Sequence, residues 1–370
     1  MVGSPRLPAL PFSAAALRKK SAAPADDGFF GPDSVCWKVW LYPSSIVIGF
    51  VRAVTIEQLD PNLNAAVEQS GGVRGRTRTR YERTMRYFAL VIFGDSATTA
   101  QAADVLVKIH SKAIGVDPIT GGRFDANAPR SQLWIHMTAW HSILYCYEKF
   151  GPGPLSPAEE DRYWAECARA AELQTIDPAE VPRNRAQVQE FFAGWRPHLA
   201  ASENAQSMTD YILDCGFAFP ESWPGWTRPA RRLFGALYRR AVISTYPQYI
   251  RTMFGVRQSR MTGFLITAMF RALFRILVSN TWLYARATQV LLPTTADVVV
   301  PRILDIPATD PVTTTPRAAQ ARYGYDLPAQ AHQDLRRRQE TRVFADRADP
   351  SDEGLLESEQ FIGTMRRRDG

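Results

Sequence analysis

The run SQLWIHMTAWHSILYCYEKFG at residues 131–151 is the strongest helical signal in this chain of 370 residues. It stands in a succession of helical segments with few strand-like ones between them, so the expected class is all-α, mainly helical. Upstream, SSIVIGFVRAVTIEQLDPNLNAAVEQS predicts a helix, a break at Asp60-Pro61 and a short second helix, because proline disfavours helical geometry before it and suits the first turn after it. In RYERTMRYFALVIFGDS the second half is continuously apolar, and a helix or a buried strand fits it equally. Asp95 or Ser96 can then cap ATTAQAADVLVKIHSKAI, with Gly115 expected to close that helix.

A Gly- and Asp-containing loop, VDPITGGRFDANAPR, leads into the 131–151 helix. After it, LSPAEEDRYWAECARAAEL carries a capping box of Ser156 with Glu159 and places Pro157 at the first helical position. Further helices are expected at 183–195, 203–216, 228–245 and 260–290. Residues 1–28, rich in Pro, Ala and Ser, are expected to be a disordered lead-in. Residues 29–300 read as one domain, and 301–370 as an irregular, mobile C-terminal arm.

Charge and cysteine usage narrow the function classes. The 44 basic and 37 acidic residues leave a net charge of +7, but the arginines fall in separate clusters (Arg74–Arg86, Arg228–Arg240, Arg336–Arg338, Arg366–Arg368). No single basic groove or nucleic-acid motif accompanies them, so no nucleic-acid partner is expected. Cys36, Cys146, Cys167 and Cys215 lie far apart, which suits free thiols in a reducing compartment rather than a zinc or redox site. The apolar run PALPFSAAAL has its basic residues on the wrong side for a secretory signal, and a cytoplasmic setting is expected. The most apolar region, 262–293, is interrupted by Arg271, Arg275 and Arg286. It reads as a buried or amphipathic helix with peripheral membrane contact as the alternative, not as a span.

Within the helix at 97–113, His110 shares an arc of about 60° to either side with Ala103, Leu106, Val107, Ala113 and Ile114. A buried imidazole needs a partner, and a core carbonyl or hydroxyl serves as well as a metal ion. Arg80 and Thr84, four apart in RYERT, share a helical face and can together hydrogen-bond an anion, a haem propionate or iron-bound oxygen, although a solvated basic helix explains them too. His136 and His141 sit about 140° apart on their helix and cannot both face one site; His136 shares a stripe with Trp140, Ile143 and Tyr147. There is no nucleophile elbow, zinc helix, phosphate loop or dinucleotide fingerprint, and GGVRG at 71–75 reads as a turn.

The ordered series GFFGPDSVCWKVW, LDPNLNAAVEQS, RYERT, VIFGD, VKIHSKAIG and WIHMTAWHSILYCYEKFGPGPLSPAEEDRYWAE resembles the catalytic domain shared by rubber oxygenases (latex clearing proteins) and the endoplasmic-reticulum oxygenase MpaB, over roughly residues 29–295. The resemblance implies a helical fold with a globin-like core holding one haem b. It implies that His110 ligates the iron, that Arg80 and Thr84 lie at the other side or edge of the haem, and that His136 lies near it. It also implies oxygenation or oxidative cleavage of an apolar, isoprenoid or lipid-like alkene with O2. Two positions depart from the pattern. Arg83 stands where relatives can carry a lysine as second axial ligand, and an arginine cannot deprotonate to bind iron, so an open or water-bound sixth position is implied. Asp60 stands in DPN where many relatives have His-Pro. Two other readings remain: a haem protein that binds or senses a diatomic gas without turnover, and a helical scaffold whose histidines are core residues.

Overall fold

The computed structural model describes residues 13–69, 77–117, 120–219 and 223–353. Among these the fold is mainly α, about 68% helical, with seventeen α-helices and two short strands. The GGVRG turn, the arginines at 74 and 76 and the terminal RRRDG lie outside the described residues.

In chain order the first helices are α1 (Ala14–Lys20), α2 (Val35–Trp40), α3 (Phe50–Glu57) and α4 (Pro61–Gln69), with a π-helical turn at Ser45–Gly49 leading into α3. The break at Asp60-Pro61 is where it was expected, and Asp60 Oδ1 accepts from the Leu63 amide at 3.0 Å to cap α4. The ambiguous segment is wholly helical: α5 spans Thr77–Phe93, its apolar half being a helix buried all round rather than a strand. α6 (Ser96–His110) follows a tight turn at Gly94, where a Cβ would lie 2.7 Å from both the Leu90 carbonyl and Thr99 Oγ1.

One expectation is corrected here. α6 ends at His110, and Gly115 is not its cap: it lies in strand β1 (Ile114–Val116), paired antiparallel with β2 (Arg123–Asp125), Gly115 opposite Phe124. The end is made by Ser111 and Asn127, whose Oγ and Nδ2 donate to the Val107 carbonyl at 2.9 and 3.0 Å. Side-chain donors thus satisfy the carbonyl that a left-handed glycine would otherwise leave to the backbone.

The core is built around α7 (Pro129–Phe150). Trp134, Met137, Trp140, Ile143 and Cys146 are fully enclosed along it. Trp140 touches Trp40 (5.5 Å between centroids) and Tyr163 (5.0 Å), linking α2 and α8 (Pro157–Ala170) to α7. The capping box of Ser156 and Glu159 starts α8 as expected. Gly49 brings the π-helical turn onto α7 so closely that a Cβ there would lie 3.0 Å from the Ser142 carbonyl.

The remaining helices surround this centre: α9 (Arg185–Trp195), α10 (Glu203–Leu213), α11 (Arg228–Ile243), α12 (Gln248–Met253), α13 (Arg260–Ser279), α14 (Thr281–Leu291) and α15 (Ala296–Ile303). The single helix expected over 260–290 is therefore two. Asn280, extended at φ −125°, stops α13, and its side chain accepts from the Leu283 amide to cap α14. Both terminal segments contain helices where irregular chain was expected: α1 at one end, and α16 (Pro316–Tyr323) and α17 (Gln333–Glu340) at the other. They are tied down by polar contacts. Arg302 bonds Asp27 at 3.0 Å in a buried ion pair, and His332 Nε2 meets Asp104 Oδ1 of α6 at 2.5 Å. Proline- and charge-rich composition misled the reading because these contacts are made over more than 200 residues of sequence.

Candidate functional site

His110 is the last residue of α6 and is half-buried, prolonging the buried stripe of Thr99, Ala103 and Val107. Burial pushes its pKa down to about 4, so the ring is neutral near pH 7. Its partner is neither a carbonyl nor a hydroxyl but a side-chain amide: Gln132 Nε2 donates to His110 Nδ1 at 2.8 Å and to the Ala126 carbonyl at 2.5 Å. Gln132 is buried on the first turn of α7. Among the described residues no hydrogen bond reaches Nε2 of His110.

The amide orientation bears on ligation. With Gln132 donating, Nδ1 accepts and Nε2 carries the ring proton. A half-turn of the amide places Oε1 against Nδ1–H and exposes the Nε2 lone pair, the tautomer a metal-bound imidazole needs, while giving up the bond to the Ala126 carbonyl. In that orientation His110 fits a single axial ligand; with the amide as placed it does not. Among the described residues no group of three or more His, Cys, Asp or Glu is placed to hold a bare metal ion. One imidazole suits a metal carried inside a macrocycle rather than a cage of side chains.

Arg80 and Thr84 lie on α5 one turn apart, as the spacing required. Thr84 is exposed and its Oγ1 donates to the Arg80 carbonyl at 2.9 Å. Burial lowers the pKa of the Arg80 guanidinium, with Glu68 of α4 acting against this and Arg83 adding to it. From the Gly94 turn, Arg80 and His110 each lie about four helical turns away along α5 and α6. α4 lies beside Arg80 and beside the hairpin that follows His110: Glu68 interacts with Arg80, while Ala65 and Ala66 pack on Phe124. Neither Arg80 nor Thr84 is hydrogen-bonded to the imidazole, whose partner is Gln132.

The other two histidines of the sequence reading sit apart from this arrangement. His136 is buried in the core, its Nε2 donating to the Cys167 carbonyl at 2.8 Å and its ring 5.8 Å from that of Trp140. Burial takes its pKa down to about 4, opposed by that bond. His141 points elsewhere, against Phe192 (4.8 Å) and beside Arg52 Nη1 (3.4 Å), and its pKa is held well below the usual histidine range by burial and by the charge of Arg52. Asp60 caps α4 and accepts from Trp195 Nε1 at 3.3 Å, a structural role for the DPN departure.

Three residues escaped sequence reasoning. Gln132 lies 22 positions from its histidine, across a hairpin, with no periodic signal to join them. Arg52 and Glu57 share α3, a helix buried on almost every side. Arg52 donates to Ser142 Oγ at 2.5 Å and stacks over Tyr145 (4.9 Å), while burial raises the Glu57 carboxyl to about 8. Two open surface grooves, about 510 Å3 beside Glu203 and Asp214 and about 420 Å3 beside Gly115 and Phe344, do not include His110, Arg80 or Thr84 among their lining residues.

The family model for the catalytic domain of the ER-bound oxygenase mpaB/B' and rubber oxygenase matches residues 37–278. The chain belongs to that family. No curated protein and no solved structure matches it. The mpaB/rubber-oxygenase match extends from α2 to the end of α13, so it contains His110, Arg80, Thr84, His136 and the Gln132 contact, and it makes this an oxygenase-family catalytic domain.

Proposed function

We propose that this protein is a haem b-dependent oxygenase acting with O2 on an apolar alkene, isoprenoid or lipid-like, and that His110 is the axial ligand of the iron. The observation that carries the reading is a neutral imidazole at the end of α6 whose Nε2 has no hydrogen bond among the described residues, inside a domain of the mpaB/rubber-oxygenase family. Haem, when bound, supplies oxygen binding and activation; the protein supplies the ligand, the orientation and the exclusion of water.

In this reading Gln132 fixes the plane of the His110 ring. Arg80, whose charge is partly desolvated, holds an anionic edge such as a propionate, and Thr84 can turn its hydroxyl from the Arg80 carbonyl toward the same group. His136, engaged by the Cys167 carbonyl beside Trp140, belongs to the core and is given no ligating role. Arg83 offers no amine that could ligate iron, so no second protein ligand would be supplied from that position. Residues 29–300 would form the cofactor-bearing domain. The four cysteines are all buried free thiols, in keeping with a reducing setting, and the proposal includes a cytoplasmic location with peripheral contact at a membrane.

The test is optical. Protein produced with ample haem should show a Soret band that His110→Ala abolishes while the far-UV circular dichroism is unchanged. A wild-type protein with no Soret band under these conditions would falsify the reading and leave a scaffold. Oxygen uptake with isoprenoid alkenes, scored for carbonyl products, separates an oxygenase from a gas binder: a Soret band without product formation across the panel leaves the gas-binding function.

A further inference from the structure

α13 is inside out for a surface helix. Ile266, Phe270 and Phe274 point into the core, where Phe270 meets Phe150 and Phe234 at 6.4 Å each. The opposite side should then be polar, yet it carries Met261 (67% exposed), Phe264 (70%), Leu265, Met269, Leu273 and Ile276. At about 100° per residue these six fall within one half of the helix, centred away from Phe270. A soluble surface seldom leaves such a continuous apolar stripe uncovered.

Charge identifies what covers it. From residue 222 to residue 296 the sequence contains eleven arginines and no Asp, Glu or Lys. The whole chain carries only +7, so the rest of it is net acidic and the positive charge is concentrated in α11 to α14. Arg275 lies on the border of the apolar stripe and Arg260 at its start, both exposed. α11, which packs on α13 through Phe234, follows directly on an exposed tryptophan, Trp226 at 81%, and exposes Leu233. Apolar side chains flanked by arginine, with an exposed tryptophan, match the acyl and headgroup layers of an anionic bilayer.

By length and composition α13 is the one described helix able to cross a membrane. Its burial pattern opposes crossing, because a spanning helix would have to withdraw Phe270 from Phe150 and Phe234 and the buried Ile266 and Phe274 from the core. We infer that α13 docks in the plane of an anionic membrane surface, inserting its Met261–Ile276 stripe while the arginines of this region contact lipid headgroups. The inference deepens the membrane-contact part of the proposed function and does not depend on haem: a chain without a Soret band that still binds vesicles would overturn the haem reading alone.

The experiment is flotation of the full chain with vesicles of phosphatidylcholine alone or with about one third phosphatidylserine. Wild-type protein should float with the anionic vesicles only. Phe264→Ser/Leu265→Ser/Ile276→Ser should reduce binding at least about tenfold, and Arg260→Gln/Arg275→Gln by about fivefold per arginine, the latter loss mimicked by high salt. Circular dichroism verifies that each variant is folded, and the two sets are independent. Three results overturn the inference: no wild-type flotation with anionic vesicles, undiminished binding by the serine variant, or equal binding to phosphatidylcholine alone. A lipid-free wild-type dimer that the serine variant converts to monomer also overturns it, assigning the stripe to a second copy of the chain.

Discussion

A single amide decides how His110 presents itself. Gln132 is held by two acceptors, and turning it to accept from Nδ1–H sacrifices the Ala126 bond, so the ring is steered by a residue that touches no ligand. Outer partners of a ligating histidine are worth about 10–100-fold in affinity when removed. If His110 holds haem as proposed, Gln132→Ala should therefore accelerate haem loss to an apomyoglobin acceptor by a factor in that range while preserving a Soret band. Gln132→Glu, which can only accept, should restore retention. An unchanged rate of haem loss in Gln132→Ala would remove the positioning role. A second residue-scale prediction follows from His136. Burial lowers its pKa from an ordinary 6.5 to about 4, so below pH 6.5 the unfolded chain takes up a proton that the folded chain refuses until about pH 4. Stability is complete above 6.5 and declines through that window, by roughly 3 kcal/mol for this group. Melting of the haem-free chain should fall steeply between pH 6.5 and 4, and less steeply in His136→Gln; identical slopes would refute the assignment. That the His110 ring turns toward the core and needs a partner was legible from helical spacing, as was the place of His136 on an apolar stripe. Which atoms satisfy them was not, because Gln132 and Cys167 come from other turns of the fold.

Among elements, the Ser45–Gly49 turn packs closely on α7, and it can do so because Gly49 has no Cβ. Gly49→Ala would place carbon 3.0 Å from the Ser142 carbonyl and 3.1 Å from Ile143 Cα, both backbone atoms that cannot swing aside. Overpacking of this kind costs about 1–3 kcal/mol. A denaturant midpoint lowered accordingly, at unchanged slope, is the expected result; a midpoint within error of wild type would show that the turn has room to shift. Element identity was legible wherever capping or proline chemistry is local, as at Pro61 and in the Ser156 to Glu159 box of α8. It failed where the deciding partner is distant. α6 ends on side-chain bonds from Ser111 and Asn127, not on Gly115, and no local pattern announces Asn127. The α13–α14 break, by contrast, has a local signal: Asn280 interrupts the apolar run, and an asparagine side chain favours a helix cap over a helix interior.

At the level of the whole molecule, the mainly helical class was readable because periodicity is local, while the docking of both terminal segments was not. Arg302 joins them to the body. Its guanidinium donates to Asp27 Oδ1 and to the carbonyls of Asp26 and Phe93, and it covers the Trp37 ring at 4.5 Å. Asp26 in turn accepts from the Ser96 amide at the start of α6. One buried cation thus connects the N-terminal segment, α15 and the α5–α6 turn from which the His110 helix departs. Removing one member of a buried pair strands the other, at about 3–5 kcal/mol, whereas replacing both with apolar groups of similar size can be close to neutral. Arg302→Ala should lower the melting temperature by the corresponding amount and expose residues 20–30 to limited proteolysis. Arg302→Met/Asp27→Leu should recover most of the stability but not all of the protection, since the donors to Phe93 and Asp26 are still missing. If Arg302→Ala melts like wild type and its N-terminal segment resists protease as well, the segment is held by its other contacts, such as the bonds from Thr309 and Asp310 to Pro24 and Ala25, and the ion pair is incidental.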